Sequence, residues 1–185
     1  TQGKLTVVTD TIDRFTEQGV RTASGEEIEA DLIVAATGFN LSVMGGIPFE
    51  VDGTPIDWAK TVTYRGMMMT GVPNLVWVMG YFRASWTLRV DIVAEYLTRL
   101  IKQMDAYGAV AATPAMPAGT EPEEDDVFDF SSGYIQRGKH IMPRNSVSYP
   151  WRLNQEYVID RKRMKDDPLT DGILTFTRAG ANARG

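Results

Sequence analysis

The chain has 185 residues, 43% of them hydrophobic, with 19 lysines and arginines against 24 aspartates and glutamates and a formal charge of −5. That length and apolar content suit one core and one domain or a little more, while the net negative charge gives nucleic acid or an anionic membrane no electrostatic hold. The absence of cysteine excludes disulfides, thiolate catalysis, Cys-ligated zinc and iron–sulfur clusters together, and the absence of a leader pattern or an apolar run of about 18 residues makes a soluble, cytoplasmic protein the default expectation.

The opening residues, TQGKLTVVTD, enter a β pattern with nothing to cap it, so we expect a piece of a longer protein. KLTVVT, IDRFTE and GVRT are short alternating runs separated by turn residues, the Ser24-Gly25 pair among them, and they predict a small meander. It runs into DLIVAATGFN, where residues 32–36 are continuously apolar and suit a strand covered on both faces, as in a parallel sheet. Thr37 and Gly38 break that strand where a backbone can turn sharply or approach a ligand closely. Beyond Gly45-Gly46, a looser region with Pro48, Pro55 and Trp58 leads to a strand-like stretch at 62–64 and a turn at 71–74. Met67, Met68 and Met69 suit an adaptable pocket, but more commonly such residues fill gaps in a core.

A second apolar strand, residues 75–79, ends at Gly80, and the period then changes from 2 to 3.6. Leu88, Ile92, Tyr96, Leu100 and Met104 recur every fourth residue, flanked by Val93, Leu97 and Ile101, with Asp91, Glu95, Arg99 and Lys102 opposite. This predicts a long amphipathic helix that Gly108 stops. Its start gathers Ser85, Trp86 and Thr87, where unpaired N–H groups and the helix dipole favour electron-rich atoms. A cofactor edge suits that place; the commoner reading has Ser85 or Thr87 capping the helix and Trp86 filling the core.

AATPAMPAGTEPEEDD then reads as an exposed connector. Glu121, Glu123, Glu124, Asp125, Asp126 and Asp129 lack the alternating ligands and central glycine of a calcium loop, so a solvated loop is expected. His140, the only histidine, has no serine elbow or metal-ligand spacing around it, which argues against a hydrolytic triad or a metal site. A helix around 154–165, the strand GILTFT and a small-residue tail complete the chain. None of the 17 glycines forms G-x-G-x-x-G, so the usual dinucleotide cradle is missing.

Taken in order, ADLIVAATGFN, TYRGMMMTGVPNL, GYFRASWTLRVDIVAEYLTRLI and YPWRLNQEY resemble the C-terminal part of class B flavoprotein monooxygenases. Within that group the likeness is to Baeyer–Villiger monooxygenases of the ethionamide-activating type. The resemblance implies an α/β fold that is a fragment of a two-dinucleotide-binding-domain flavoprotein: a small β-meander, a strand–long helix unit and an irregular C-terminal extension. It implies that residues 1–36 are the tail of the NADP-binding domain, that 37–108 cross over and return into the FAD-binding domain, and that 109–185 form the extension with its acidic loop.

The resemblance further places Thr37, Gly38, Gly80, Ser85, Trp86, Thr87 and Leu88 beside the cofactors, the helix start facing the isoalloxazine. FAD and NADP(H) belong to the parent enzyme, and this chain is expected to hold neither by itself. The family's two glycine fingerprints, the F-x-G-x-x-x-H-x-x-x-W signature and the catalytic arginine segment of the NADP domain are absent, and no catalytic or metal-binding residue is assigned. Its expected partners are the N-terminal FAD/NADP portion and a small-molecule substrate, with self-association through exposed apolar surface. Two other readings remain at this point: a non-catalytic binding or structural module on a flavoprotein-derived scaffold, and a segment of a pyridine-nucleotide–disulfide reductase relative.

Overall fold

The structure, a computed structural model, describes residue 3 and residues 5–126 and 131–180. The chain divides into two compact units, Thr1–Phe39 and Asn40–Gly185.

The first unit contains the expected meander. Strands β1 (Ile12–Phe15), β2 (Gly19–Thr22) and β3 (Glu27–Glu29) form an antiparallel sheet in the order β1-β2-β3. A turn at Ser24-Gly25 is closed by the Gly25 N–H donating to the Thr22 carbonyl at 3.0 Å. Gly19 lets β2 approach β3 closely, since a Cβ there would lie 2.0 Å from the Ile28 carbonyl oxygen. Two expectations fail in this unit. Residues 5–9 and residues 32–36 form no strand, and Leu5, Val7, Leu32 and Val34 are 77–84% exposed. An apolar run becomes a covered strand only when neighbours supply ladder partners and a cover on each face; among the described residues neither run finds them.

The second unit carries the core. Strands β4 (Glu50–Val51) and β5 (Thr54–Pro55) form a small hairpin, and β6 (Thr63–Tyr64) pairs with β7 (Met68–Met69) in another. Met67, Met68 and Met69 are all fully buried, so they fill the core rather than line an open pocket. Helix α1 runs Trp86–Tyr107 and ends at Gly108, whose φ of 59° supplies the left-handed cap that only glycine adopts without strain. Its buried face is Ile92, Val93, Tyr96 and Leu100, as the period demanded. Each such apolar side chain stabilises the fold by about 1.5–3 kcal/mol. Neither Asp91 nor Lys102, on the polar face of α1, lies in a terminal turn, so neither does much to offset the helix dipole.

The run 75–79 is half-buried but is not a strand: it makes a backbone bond from Trp77 N–H to the Met67 carbonyl at 2.9 Å and lacks a ladder among the described residues. The connector expectation also fails in its first part. Strand β8 (Ala109–Pro114) pairs antiparallel with β9 (Leu174–Arg178), and Ala112 and Pro114 are sealed from water. Its partner lies some sixty residues later, so local composition cannot reveal it.

The rest of the C-terminal segment contains α2 (Gly133–Gly138) and α3 (Tyr157–Asp166), the latter beginning slightly later than expected. The molecule is therefore a mixed α/β chain whose named sheets are all antiparallel; the parallel sheet expected for the apolar runs is absent among the described residues. No described helix is long and apolar enough to cross a membrane.

Candidate functional site

The turn from Gly80 to Leu88 joins the extended run 75–79 to α1, and its geometry follows from small residues and buried anchors. The face of Gly80 is taken by the indole of Trp86: a Cβ on Gly80 would lie 2.2 Å from the ring. Glycine is thus required for Trp86 to fold back on the chain. Trp86 is nevertheless 53% exposed, which removes it from the role of core filler. Ser85 stands at the N-cap position but makes no capping bond; its hydroxyl pairs with that of Thr87 at 2.7 Å. Residues 83–87 are exposed and Leu88 is half-buried. The first N–H groups of a helix have no partner within it, so the tip of α1 presents donors and two hydroxyls on one accessible surface.

Thr37 and Gly38 lie in the first unit. Gly38 has a φ of 92°, with no atom within 4 Å of where a Cβ would stand. That leaves space for close backbone approach.

Behind the α1 tip lie two buried arginines that sequence reasoning missed. Arg89, in the first turn of α1, is entirely buried. It donates from Nη2 to the Arg65 carbonyl at 2.6 Å and from Nη1 to the carboxylate of Asp160. Tyr81 donates its hydroxyl to the same carboxylate oxygen at 2.6 Å. Burial pushes the Asp160 carboxyl upward, against the pull of the Arg89 charge and the Tyr81 hydrogen bond.

Arg65 is held among the rings of Tyr64, Tyr96 and Tyr149, its guanidinium carbon 5.3, 5.4 and 5.0 Å from their centroids. It pairs with Asp167 and Asp171, each at 3.2 Å. Burial also raises the hydroxyl pKa values of Tyr64 and Tyr149, so these hydroxyls stay neutral while they accept from the Arg65 guanidinium. Gly66 is obligatory beside it, because a Cβ would meet Arg89 Nη2 and Leu153 Cδ1, both at 2.6 Å. The available signal was the dipeptide Arg65-Gly66 in an otherwise apolar hairpin.

His140 lines a cleft of about 540 Å³ with Leu41, Val43, Ile56, Trp58 and Ile141. The walls come from three separated segments, so no single motif could announce it. The acidic segment is partly paired: Arg144 bonds Glu124 at 2.8 Å and Lys139 bonds Asp126 at 2.7 Å, while Asp129 lies outside the described residues. Among the described residues no cluster of His, Asp and Glu is arranged to hold a metal ion.

No protein-family model matches the chain. Individual relatives do. The chain is 41% identical over 179 residues to the FAD-containing monooxygenase EthA of Mycobacterium tuberculosis, covering 97% of this chain and 36% of the relative. It is 40% identical over 176 residues to EthA of Mycolicibacterium smegmatis, covering 95% and 36% respectively. It is 40% identical over 179 residues to the protein named "Probable FAD-binding monooxygenase AlmA" of Acinetobacter baylyi, covering 95% and 35%. The chain's relatives are thus flavin monooxygenases, as the motifs implied, and it spans a little over a third of their length.

Proposed function

We propose that this chain is the flavin-side wall and C-terminal cover of an FAD- and NADPH-dependent monooxygenase. The overall reaction is substrate plus O2, NADPH and a proton giving oxygenated substrate, water and NADP+. One oxygen atom enters a ketone, in the Baeyer–Villiger sense, or is added to a soft sulfur or nitrogen. The observation that carries the reading is the uncapped, exposed tip of α1, with Ser85, Trp86 and Thr87 on it, in a chain whose relatives are FAD-containing monooxygenases.

The residues present fit a flavin edge. An electron-rich carbonyl or ring nitrogen is the natural acceptor for the free N–H groups of residues 86–88, and the helix dipole favours negative charge there. When bound, the flavin supplies the two-electron chemistry that activates oxygen. This chain's own residues orient: Trp86 offers an aromatic surface, Ser85 and Thr87 offer hydroxyl donors, and Leu88 supports them from the half-buried side. Thr37 and Gly38 form the crossing between the NADP side, residues 1–36, and the FAD side. The partner that completes both cofactor sites is the remaining portion of the same enzyme, and the apolar side chains exposed in the first unit favour self-association when that portion is missing.

Titrating lumiflavin into the 15N-labelled chain tests the reading. Amide shifts concentrated at residues 85–89 are expected; shifts spread evenly over the chain, or none at all, overturn it. With FAD, NADPH and a thioether the isolated chain is expected to give no saturable sulfoxide formation.

A further inference from the structure

Asp160 stands outside the turn that carries Trp86, yet both flanks of that turn end on it. Tyr81, directly after Gly80, and Arg89, in the first turn of α1, both donate to Asp160 Oδ2. Tyr81 is 1% exposed and Arg89 is fully buried, so water cannot substitute for either bond. Neighbouring residues tighten the grip. The Phe82 N–H donates to Gln155 Oε1 at 2.8 Å, and Arg89 Nη1 also reaches the Asn154 carbonyl at 3.4 Å. Residues 154–160 therefore hold positions 81, 82 and 89 and leave 83–87 exposed.

A contact that only fastened the C-terminal segment to α1 would need no such convergence. Arg99 provides that kind of fastening further along, donating to the Met164 carbonyl at 2.7 Å and the Asp167 carbonyl at 2.9 Å. Asp160 instead joins the two sides of a single turn through one oxygen atom. Were the turn to open, one donor would lose its partner in a site without water, which opposes the opening. We infer that Asp160 is a positioning residue, fixing the angle at which the Gly80–Trp86 turn and the first N–H groups of α1 are presented. Its purpose toward a flavin rests on the reading proposed above; its effect on the turn is measurable without any ligand.

The test uses the full chain labelled with 5-fluorotryptophan. Its four tryptophans give four 19F signals, and Trp86→Phe assigns one of them. In Asp160→Asn and in Tyr81→Phe, the Trp86 signal is expected to move or broaden, while that of Trp58, packed edge-on against Phe49 at 5.4 Å, stays in place. Tyr81→Phe keeps the Arg89–Asp160 pair and decides the matter if Asp160→Asn does not fold. A Trp86 signal unmoved in Tyr81→Phe, or a displacement shared by Trp58, overturns the inference. Lumiflavin then separates the two claims. Read at the Trp86 signal, lumiflavin is expected to bind Tyr81→Phe about fivefold more weakly than the wild type. No lumiflavin effect in the wild type would remove the flavin and Asp160's role toward it, while the ligand-free shifts would still establish that Asp160 sets the turn.

Discussion

Residues 1–39 and residues 40–185 both carry apolar runs of strand type, and the two units make opposite use of them. In the first, Leu5, Val7, Leu32, Val34 and Phe39 are at least three-quarters exposed. In the second, Tyr64, Met67, Met68, Met69 and Tyr96 are sealed, and two arginines are buried with them. The apolar run is not what differs. The second unit brings distant segments together: β9 against β8, and Asp160, Asp167 and Asp171 against Tyr64, Arg65 and Arg89. Among its described residues the first unit shows the meander as its named structure. Burial requires a partner surface, and polar anchors decide which surface is chosen.

The largest effect on that contrast is expected from Arg65→Met. It leaves Asp167 and Asp171 without the Arg65 cation and removes the donor that the Tyr64 and Tyr149 hydroxyls accept from. Removing one member of a buried pair costs about 3–5 kcal/mol, and the partial exposure of the two aspartates puts this case near 3. All four tryptophans, Trp58, Trp77, Trp86 and Trp151, lie in the second unit. Urea unfolding followed by tryptophan emission therefore reports that unit alone, and a midpoint unchanged by Arg65→Met would remove the anchors from the explanation.

These anchors show where sequence reading stops. Helix α1 was legible because its 3.6-residue period needs only itself, and Gly108 closes it in the left-handed conformation that glycine favours. The Gly80–Trp86 turn was legible as a glycine turn opening a helix, though the reason for Gly80, an indole against its Cα, appears only in three dimensions. Residues 32–36 and 75–79 misled because a strand is half a structure whose other half must be supplied by pairing. Ala109–Pro114 misled in the opposite sense, since alanine and proline signal a loop until β9 arrives from far along the chain. Arg65 carries no periodic signal of its burial, and Arg89, though in register with the buried face of α1, reads as exposed because of its charge. Charged residues are almost never fully buried unless paired, and their partners lie 71 to 106 positions away.

A smaller effect sharpens the comparison through pH. Burial alone would raise the Asp171 carboxyl, but the Tyr64 hydroxyl, the Ile173 and Leu174 N–H groups and Arg65 outweigh it and hold it below the usual carboxylate range. A depressed folded pKa stabilises fully above the unfolded value of about 4, and the contribution is lost as pH falls through the folded value. Asp171→Asn is expected to cost about 1–2 kcal/mol at pH 7 in the tryptophan-monitored transition, the difference from wild type closing below about pH 4. Asp10, held at about 2 by the Ser24 hydroxyl, the Ser24 N–H and the Thr11 N–H, titrates in the same direction in the first unit. It should leave the tryptophan signal untouched, so a variant at Asp10 that moved it would break the separation between the two regions.

The smallest expected change is the most direct test of what the first unit lacks. Val34 is 77% exposed and Leu32 is 80% exposed. Replacing either with serine removes little buried area, so the tryptophan-monitored stability should stay within about 0.5 kcal/mol of wild type. The same substitutions shrink an apolar surface, and surfaces of that kind drive association. If the chain self-associates through this surface, Val34→Ser and Leu32→Ser should lower the concentration dependence measured by size exclusion while leaving unfolding unchanged. A loss of several kcal/mol would mean that these side chains are already buried in solution, and the contrast between the two units would then be one of assembly rather than of sequence.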